Sequence, residues 1–415
     1  MTATTRTARK LGLLGSLYFS QGLPFGFFTQ ALPVMLRERG VSLGAIGLSS
    51  LLAVPWALKF LWAPAVDRYG SPRWGMRRSW ILPLQIASAV VLAALALVDS
   101  GSLSLLMGAV LLLNLVAATQ DIATDGLAVD MLARHERGYG NGVQVAGYRV
   151  GMILGGGLLL LLFDRLGARG SFAAMALATA VATLPVALWR EPQRSQEPQR
   201  SPSRSTEEPR ARPLWRRPGG ARVLLLVVVY KAGDAFAVAM LRPFLADAGL
   251  SLADVGRLLG TVGFVAGLVG ALLGGALVGR LGRKRALLFF GLLQALTVAG
   301  YAYLAWRTPS PSALYLICAA EHLAGGMATA ALFTFMMDRC APGSGATDYT
   351  LQASAVVVAT GIAASLAGFS AAAFGYLTHF GLAATLAVLG LGVVAWAFPR
   401  QTIPSPAALP LVAAP

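Results

Sequence analysis

The chain has 415 residues, 56% of them hydrophobic and 13% charged, and it holds 47 glycines. A soluble domain carries roughly a quarter charged residues, so this balance excludes an ordinary soluble core and favours a membrane protein. The net charge is +16, but the basic residues sit between apolar runs, with no basic stripe interleaved with aromatics, which argues against a nucleic-acid partner.

A helix needs about 20 mostly apolar residues to cross the hydrocarbon core. Runs of that size predict spans at 11–36, 44–66, 80–98, 102–131, 142–163, 171–189, 221–246, 254–279, 286–305, 312–337, 349–376 and 381–398. The first follows Arg6, Arg9 and Lys10. Its apolar run outlasts the roughly 7–15 residues of a signal h-region, so it is predicted as an uncleaved span. Short connections make successive spans antiparallel neighbours. The expected fold is all-α and polytopic, with twelve transmembrane helices in two pseudo-symmetric six-helix bundles.

Ionisable residues inside membrane spans are costly and functional by default. Span one offers Gln21, Gly22, Pro24 and Gln30, a bend with a polar lining. Span two carries Lys59, and span four carries Gln120, Asp121 and Asp125. Asp121 and Asp125 are four residues apart and share a helix face. They either share a proton or one of them pairs with a cation to hold helices together. Arg149 in span five and Lys59 are candidates to grip an anionic solute or to neutralise those carboxylates. Trp56, Trp62 and Trp80 read as interface anchors.

Segment 190–220 is rich in Pro, Arg, Ser, Gln and Glu and cannot bury enough apolar surface to fold alone. It predicts a disordered linker between an N-terminal bundle (1–189) and a C-terminal bundle (221–400), followed by a tail (401–415). Span seven then carries Lys231 and Asp234, three residues apart, and span ten carries Glu321 and His322. These suit a proton relay or substrate contact, or a satisfied internal pair. Cys318 and Cys340 form no metal or disulfide pattern and read as packing residues. No cofactor or metal site is expected.

The halves repeat. LRERGVSLGAIG (36–47) aligns with LADAGLSLADVG (245–256) at an offset of 209, matching Gly40 with Gly249 and Ser42 with Ser251. At an offset of 208, Asp130 matches Asp338 and Gln144 matches Gln352. Such repeats mark secondary transporters, with the site at the repeat interface. Asp130 and Asp338, near one membrane face, read as gate or cap residues, and Gln352 as part of the substrate or proton pathway.

The loop after span eight, Gly275 to Arg285 (GALVGRLGRKR), resembles the signature loop of the major facilitator superfamily through Gly275, Gly279, Arg280 and Arg283. Its counterpart after span two is Asp67, Arg68, Tyr69 and Gly70, followed by Arg77 and Arg78. The fragments YFSQGLPFGF (18–27), LPVMLRERGVSLGAIGLSSLLAVPWALKFLWAPAVDR (32–68), RRSWILPLQ (77–85) and ATQDIATDGLAVDML (118–132) are similar to the AmpG-like permeases. That group includes muropeptide importers, siderophore permeases of the RhtX/FptX type and relatives of the acetyl-CoA transporter. The compact length and ATDYTLQAS (346–354) resemble the siderophore branch slightly more. The resemblance implies a proton-coupled importer that works as a monomer, on a small-molecule solute, by alternating access. It also implies that Asp67, Arg68, Arg77, Arg78, Asp130, Gly275, Gly279, Arg280, Arg283 and Asp338 gate the two bundles.

Lys and Arg concentrate in alternate loops, which predicts both termini on the cytoplasmic side of a bacterial inner membrane. Two other classes stay open. Asp121 and Asp125 resemble half of an intramembrane prenyltransferase site, but the repeat positions hold Thr329 and Phe333, so no second aspartate segment exists. A non-transporting receptor on the same scaffold is the other.

Overall fold

The structure is a computed structural model that describes residues 3–97, 102–191, 212–307 and 310–398. The core of segment 190–220 and the tail 401–415 therefore fall outside the described residues. Among the described residues nine helices are long and apolar enough to cross a bilayer. One of them, Gly345–Ala397, is twice the needed length and breaks at Gly375, φ 73°. Two further rods, 3–38 and 137–166, are not among those nine. The set is consistent with twelve crossings.

We number the rods α1 (3–38), α2 (43–68), α3 (Arg78–Leu97), α4 (Leu103–Met131), α5 (137–166), α6 (168–188), α7 (220–247), α8 (252–281), α9 (Arg283–Trp306), α10 (Pro311–Asp338), α11 (345–374) and α12 (376–397). Several are broken where the sequence demands it. In α1, Pro24 removes one ladder donor, and a π turn follows at Phe27–Ala31. In α2, 3-10 turns at Ser50–Ala53 and Lys59–Leu61 alternate with short α segments opened by Pro55 and Pro64.

The internal repeat is visible in backbone detail. Gly40 and Gly249 both take left-handed φ, 77° and 87°, to turn the chain between rods. Ser42 and Ser251 then cap the next helix by accepting from the Ala45 and Asp254 amides. Ser102 and Ser310, 208 residues apart, cap α4 and α10 in the same way. Gly167 and Gly375, also 208 apart, make the α5–α6 and α11–α12 turns with φ 62° and 73°. A side chain at either glycine would be strained, because left-handed φ crowds Cβ against the carbonyl.

Close backbone approach builds each half. A Cβ at Gly22 or Gly26 of α1 would strike the 148–152 backbone of α5, and one at Gly151 or Gly155 would strike α1 in return. Small residues four apart thus replace the hydrophobic drive that lipid cannot supply. The same device joins the halves, where Gly138 and Gly142 of α5 face Ala271 and Gly275 of α8.

The buried clusters show how the halves meet. At the end that holds the N-terminus, one cluster runs from Leu14, Tyr18 and Val129 through Val278, Phe335 and Tyr349, spanning both halves. At the opposite end the cores are separate. One holds Phe27, Leu32, Leu92 and Phe172; the other holds Phe236, Leu245, Tyr301 and Phe380. The molecule is closed at the arginine-rich end and parted at the other.

Segment 190–220 departs from expectation at its C-terminal end. Residues 192–211 lie outside the described residues, but Leu214–Arg216 form a 3-10 turn and Arg217 reaches α11. Its Nη1 and Nη2 donate to the two Asp348 oxygens at 2.6 and 3.0 Å. A bidentate pair to a helix first turn overrides the polar composition that predicted disorder.

Candidate functional site

Two ionic clusters sit at mid-depth, one in each half. In the first, Lys59 of α2 is buried and pairs with Asp121 of α4. Its ammonium also lies 5.3 Å from the Trp56 ring. The broken helix around Lys59 brings the lysine inward instead of letting it snorkel to an interface. Asp125, one turn on, has a different environment. Tyr18 of α1 donates to its Oδ1 at 2.7 Å, and Gln144 of α5 donates to the same oxygen at 3.2 Å. Gln144 Oε1 in turn accepts from Tyr349 of α11 at 3.4 Å, linking the acid to the other half. Around them Gln21 donates to Thr124, and Gln120 and Gln85 both donate to Ser20.

In the second cluster Lys231 and Asp234 pair at 2.6 Å. Glu321 accepts from Tyr301 at 3.1 Å and faces His322 Nδ1 at 2.9 Å. Arg149, from the first half, lies over Phe264 of α8 at 5.8 Å. Its guanidinium lies against Gly267 of α8, where a Cβ would strike it. Of the two roles read for Arg149, gripping an anionic solute or neutralising the helix-4 carboxylates, its place against Gly267 and Phe264 of α8 suits the first. Rotation of α5 points it across the interface, and Lys59 alone serves Asp121. Gln352 also sits apart from both clusters, donating to the Met336 and Asp348 carbonyls.

The signature residues assemble at the closed end. Asp67 Oδ1 accepts from Arg77 Nη2 at 2.5 Å and from the Ala346 amide at 3.2 Å. Asp67 Oδ2 accepts from the Thr347 amide at 2.7 Å and its hydroxyl at 2.5 Å. A carboxylate of one half thus caps the first turn of α11 in the other. Arg77 continues to Asp130 at 3.1 Å and to the Val66 carbonyl. Burial works against the Arg77 charge, but Asp130 and Asp67 outweigh it and hold the guanidinium firmly protonated. The second half answers with Asp338, which accepts from Arg283 at 2.7 Å and from Arg137 of the first half at 2.9 Å. Arg78 donates to the Val186 and Ala187 carbonyls, and Arg68 lies exposed over Tyr69. Gly275 packs on α5, while a Cβ at Gly279 would meet open space. Arg280 lines a surface pocket nearby.

Sequence reasoning missed Tyr18, Tyr349, Tyr301, Arg137 and Thr347. Tyrosines carry no charge signal, and Arg137 and Thr347 matter only through contacts across the halves. Trp56 and Trp62 are not simple interface anchors. Their indole N–H groups donate to Asn114 and Thr119 of α4.

The Lys59–Asp121 pair gives a first expected result. Lys59→Ala leaves a buried carboxylate without a cation, which costs about 3–5 kcal/mol. Lys59→Met with Asp121→Leu should regain most of the thermal stability measured in detergent. If uptake stays lost in the doubly apolar variant, the pair works in transport; if uptake returns, it is structural.

Glu136 gives a second. It accepts from Lys10 at 2.7 Å, Thr7 at 2.6 Å and the Ala133 amide at 2.9 Å, tying the start of α1 to the α4–α5 loop. Partial burial pushes its carboxyl up, but those bonds bring it from 4.5 down to about 2. The folded value is the lower one, so the stabilisation is complete above the unfolded value and fades as pH falls from 4.5 towards about 2. The stability gap between wild type and Glu136→Gln should therefore be flat near neutrality and vanish by the acid end of that window in a thermal titration.

Residues 14–353 match the model of the Major Facilitator Superfamily. The chain is 35% identical over 384 residues to the anhydromuropeptide permease of Escherichia coli K12, covering 90% of this chain and 77% of that one. It is 28% identical to the putative transporter AmpG 4 of Rickettsia conorii, covering 80% and 83%. Two solved structures share the fold. A bacterial homologue of the iron transporter ferroportin in an outward-facing state has TM-score 0.66 at 17% identity, covering 94% and 99%. The human organic anion transporter MFSD10 has TM-score 0.67 at 16% identity, covering 95% and 100%.

Proposed function

We propose that this chain, which belongs to the major facilitator superfamily and within it to the AmpG-like group, imports anhydromuropeptides across a bacterial inner membrane in symport with protons. It is a multi-pass membrane transporter of a small-molecule solute and not an enzyme. The observation that carries the proposal is the 35% identity, over 90% of the chain, to a relative named for that solute. The mid-depth chemistry supports it. Arg149 has no hydrogen-bonded partner among the described residues, and it stands between the halves where an acidic, hydrogen-bonding sugar peptide would rest.

In this reading 1–189 and 221–400 are the two rocking bundles, 190–220 is their cytoplasmic linker and 401–415 a tail. Both termini face the cytoplasm and the monomer is the working unit. The closed arginine-rich end is then cytoplasmic, and the parted end receives solute from outside. Asp125 with Gln144, and Glu321 with His322, are the proton-bearing candidates.

Uptake into proteoliposomes under an inward proton gradient tests this. A labelled anhydromuropeptide and a labelled ferric siderophore are offered in parallel, each with and without a protonophore. Protonophore-sensitive accumulation of the muropeptide alone is expected. Accumulation of the siderophore alone moves the chain to the other branch, and accumulation of neither sinks the importer reading for both solutes.

A further inference from the structure

We infer that the basic pocket beside the α8–α9 turn binds a phosphate-bearing anion, and that its occupant is the headgroup of an anionic phospholipid. The pocket has a volume of about 820 Å³ and lies between the halves at the closed end. Six cationic side chains line it: Arg134, Arg280, Arg283, Lys284, Arg285 and Arg339.

Among the described residues the carboxylate in contact with this group is Asp338, already shared by Arg283, Arg137 and, at 3.9 Å, Arg134. Arg280, Lys284, Arg285 and Arg339 have no carboxylate partner there. Positive charge that serves only to orient loops can spread into water, and here it is gathered around one concavity.

Arg339 supplies an independent observation. Its Nε is buried without a hydrogen-bond partner, while its guanidinium stacks 5.3 Å from the Phe335 ring. A buried donor left unsatisfied is costly, and the same guanidinium lines the pocket, where an anion would compensate its charge. Burial also works against the Arg339 charge, which Asp338 offsets only in part.

Position chooses the lipid over a free ion. The pocket opens at the ends of α8, α9 and α10, and Tyr139, Leu281 and Phe398 add apolar surface beside the cations. Lys284 lies 6.0 Å from the Phe398 ring, so charge and apolar surface adjoin. Basic pockets between membrane helices recognise anionic headgroups in this way. Because Arg134, His135 and Tyr139 come from one half and the remainder from the other, the pocket is complete only while α5 and α8 stay packed at this end. A lipid bound there therefore favours the closed state by its differential affinity.

The test uses the full chain in nanodiscs, which expose both faces and remove any effect of membrane orientation. Binding of a fluorescent phosphatidylglycerol, doped into phosphatidylcholine, is titrated for wild type, for Arg280→Gln/Arg285→Gln/Arg339→Gln and for a control, Arg6→Gln/Arg9→Gln/Arg73→Gln, with the same charge removed elsewhere. The pocket triple should bind roughly 100-fold more weakly and the control about as tightly as wild type, at about a fivefold loss per charge. Arg280→Gln/Arg285→Gln, which changes only exposed side chains, should lose roughly 25-fold and guards against misfolding of the triple. Equal losses in pocket and control variants would overturn the site. Displacement of the lipid by millimolar inorganic phosphate would overturn the lipid as occupant and leave a soluble phosphate.

Discussion

Asp125→Asn is expected to abolish gradient-driven accumulation while leaving solute exchange in place. Lys59 pairs directly with Asp121, while Asp125, beside the Asp121 carboxyl and within the field of Lys59, accepts from Tyr18 and Gln144. The charged carboxylate draws the Gln144 amide nitrogen and so turns the Gln144 carbonyl towards Tyr349 of the other half. A protonated Asp125 gains a donor of its own and reverses the demand on Gln144, which weakens the bond between the halves. In the proposed symport, proton binding at this one position would bias the contact between the halves. Asparagine fixes the neutral form. A membrane potential of 100 mV is worth about 2.3 kcal/mol per charge, or roughly 40-fold in accumulation, for each net charge carried inward. The variant should lose that factor and equilibrate at the outside concentration, yet still exchange labelled for unlabelled solute. Protonophore-sensitive accumulation at the wild-type level would remove Asp125 from the coupling mechanism.

Asp67→Ala should shift the molecule away from the closed arginine-rich end. The carboxylate accepts from two backbone amides and a hydroxyl of α11 and from Arg77, and three of these four bonds cross between the halves. The Arg77 pair lies within one half and is lost in either state, and Arg77 keeps Asp130, so the bias comes from the three bonds that cross. Losing that helix cap costs about 1 kcal/mol. The cost falls on the state in which the halves touch here, and about 1 kcal/mol depletes that state roughly fivefold. Spin labels on the arginine-rich ends of α2 and α11 would report it as a longer distance distribution, with uptake falling in parallel. Asp67→Asn, which still caps, should lie between. An unchanged distance distribution in Asp67→Ala would mean that the glycine contact of α5 with α8 closes this end alone.

That asymmetry could not be read from the chain by itself. Both signature loops were recognisable from Asp67 to Arg78 and from Gly275 to Arg285, as was their repeat relation. Yet one side closes through a charged cap on α11, and the other through the Arg137–Asp338 pair together with the approach of Gly138 and Gly142 to Gly275. The loops look alike because their glycines and arginines are alike, while their partners lie in other rods.

The spans, the repeat and the identity of the intramembrane charges were set by local properties: length of apolar run, glycine at turns, serine at helix starts and charges spaced along one rod. A bilayer punishes any departure from these, so they are written plainly in the chain. Which charges meet is another matter. Asp67 finds Thr347 at a separation of 280 residues, and Arg137 finds Asp338 at 201. Arg149 crosses to α8 of the other half, while Lys59 pairs with Asp121 and Asp125 accepts from Tyr18 and Gln144. Those choices depend on how each helix is rotated about its axis and on which end of the two halves is closed. Rotation is fixed by side-chain packing summed over many neighbours, so only the assembled tertiary structure decides it.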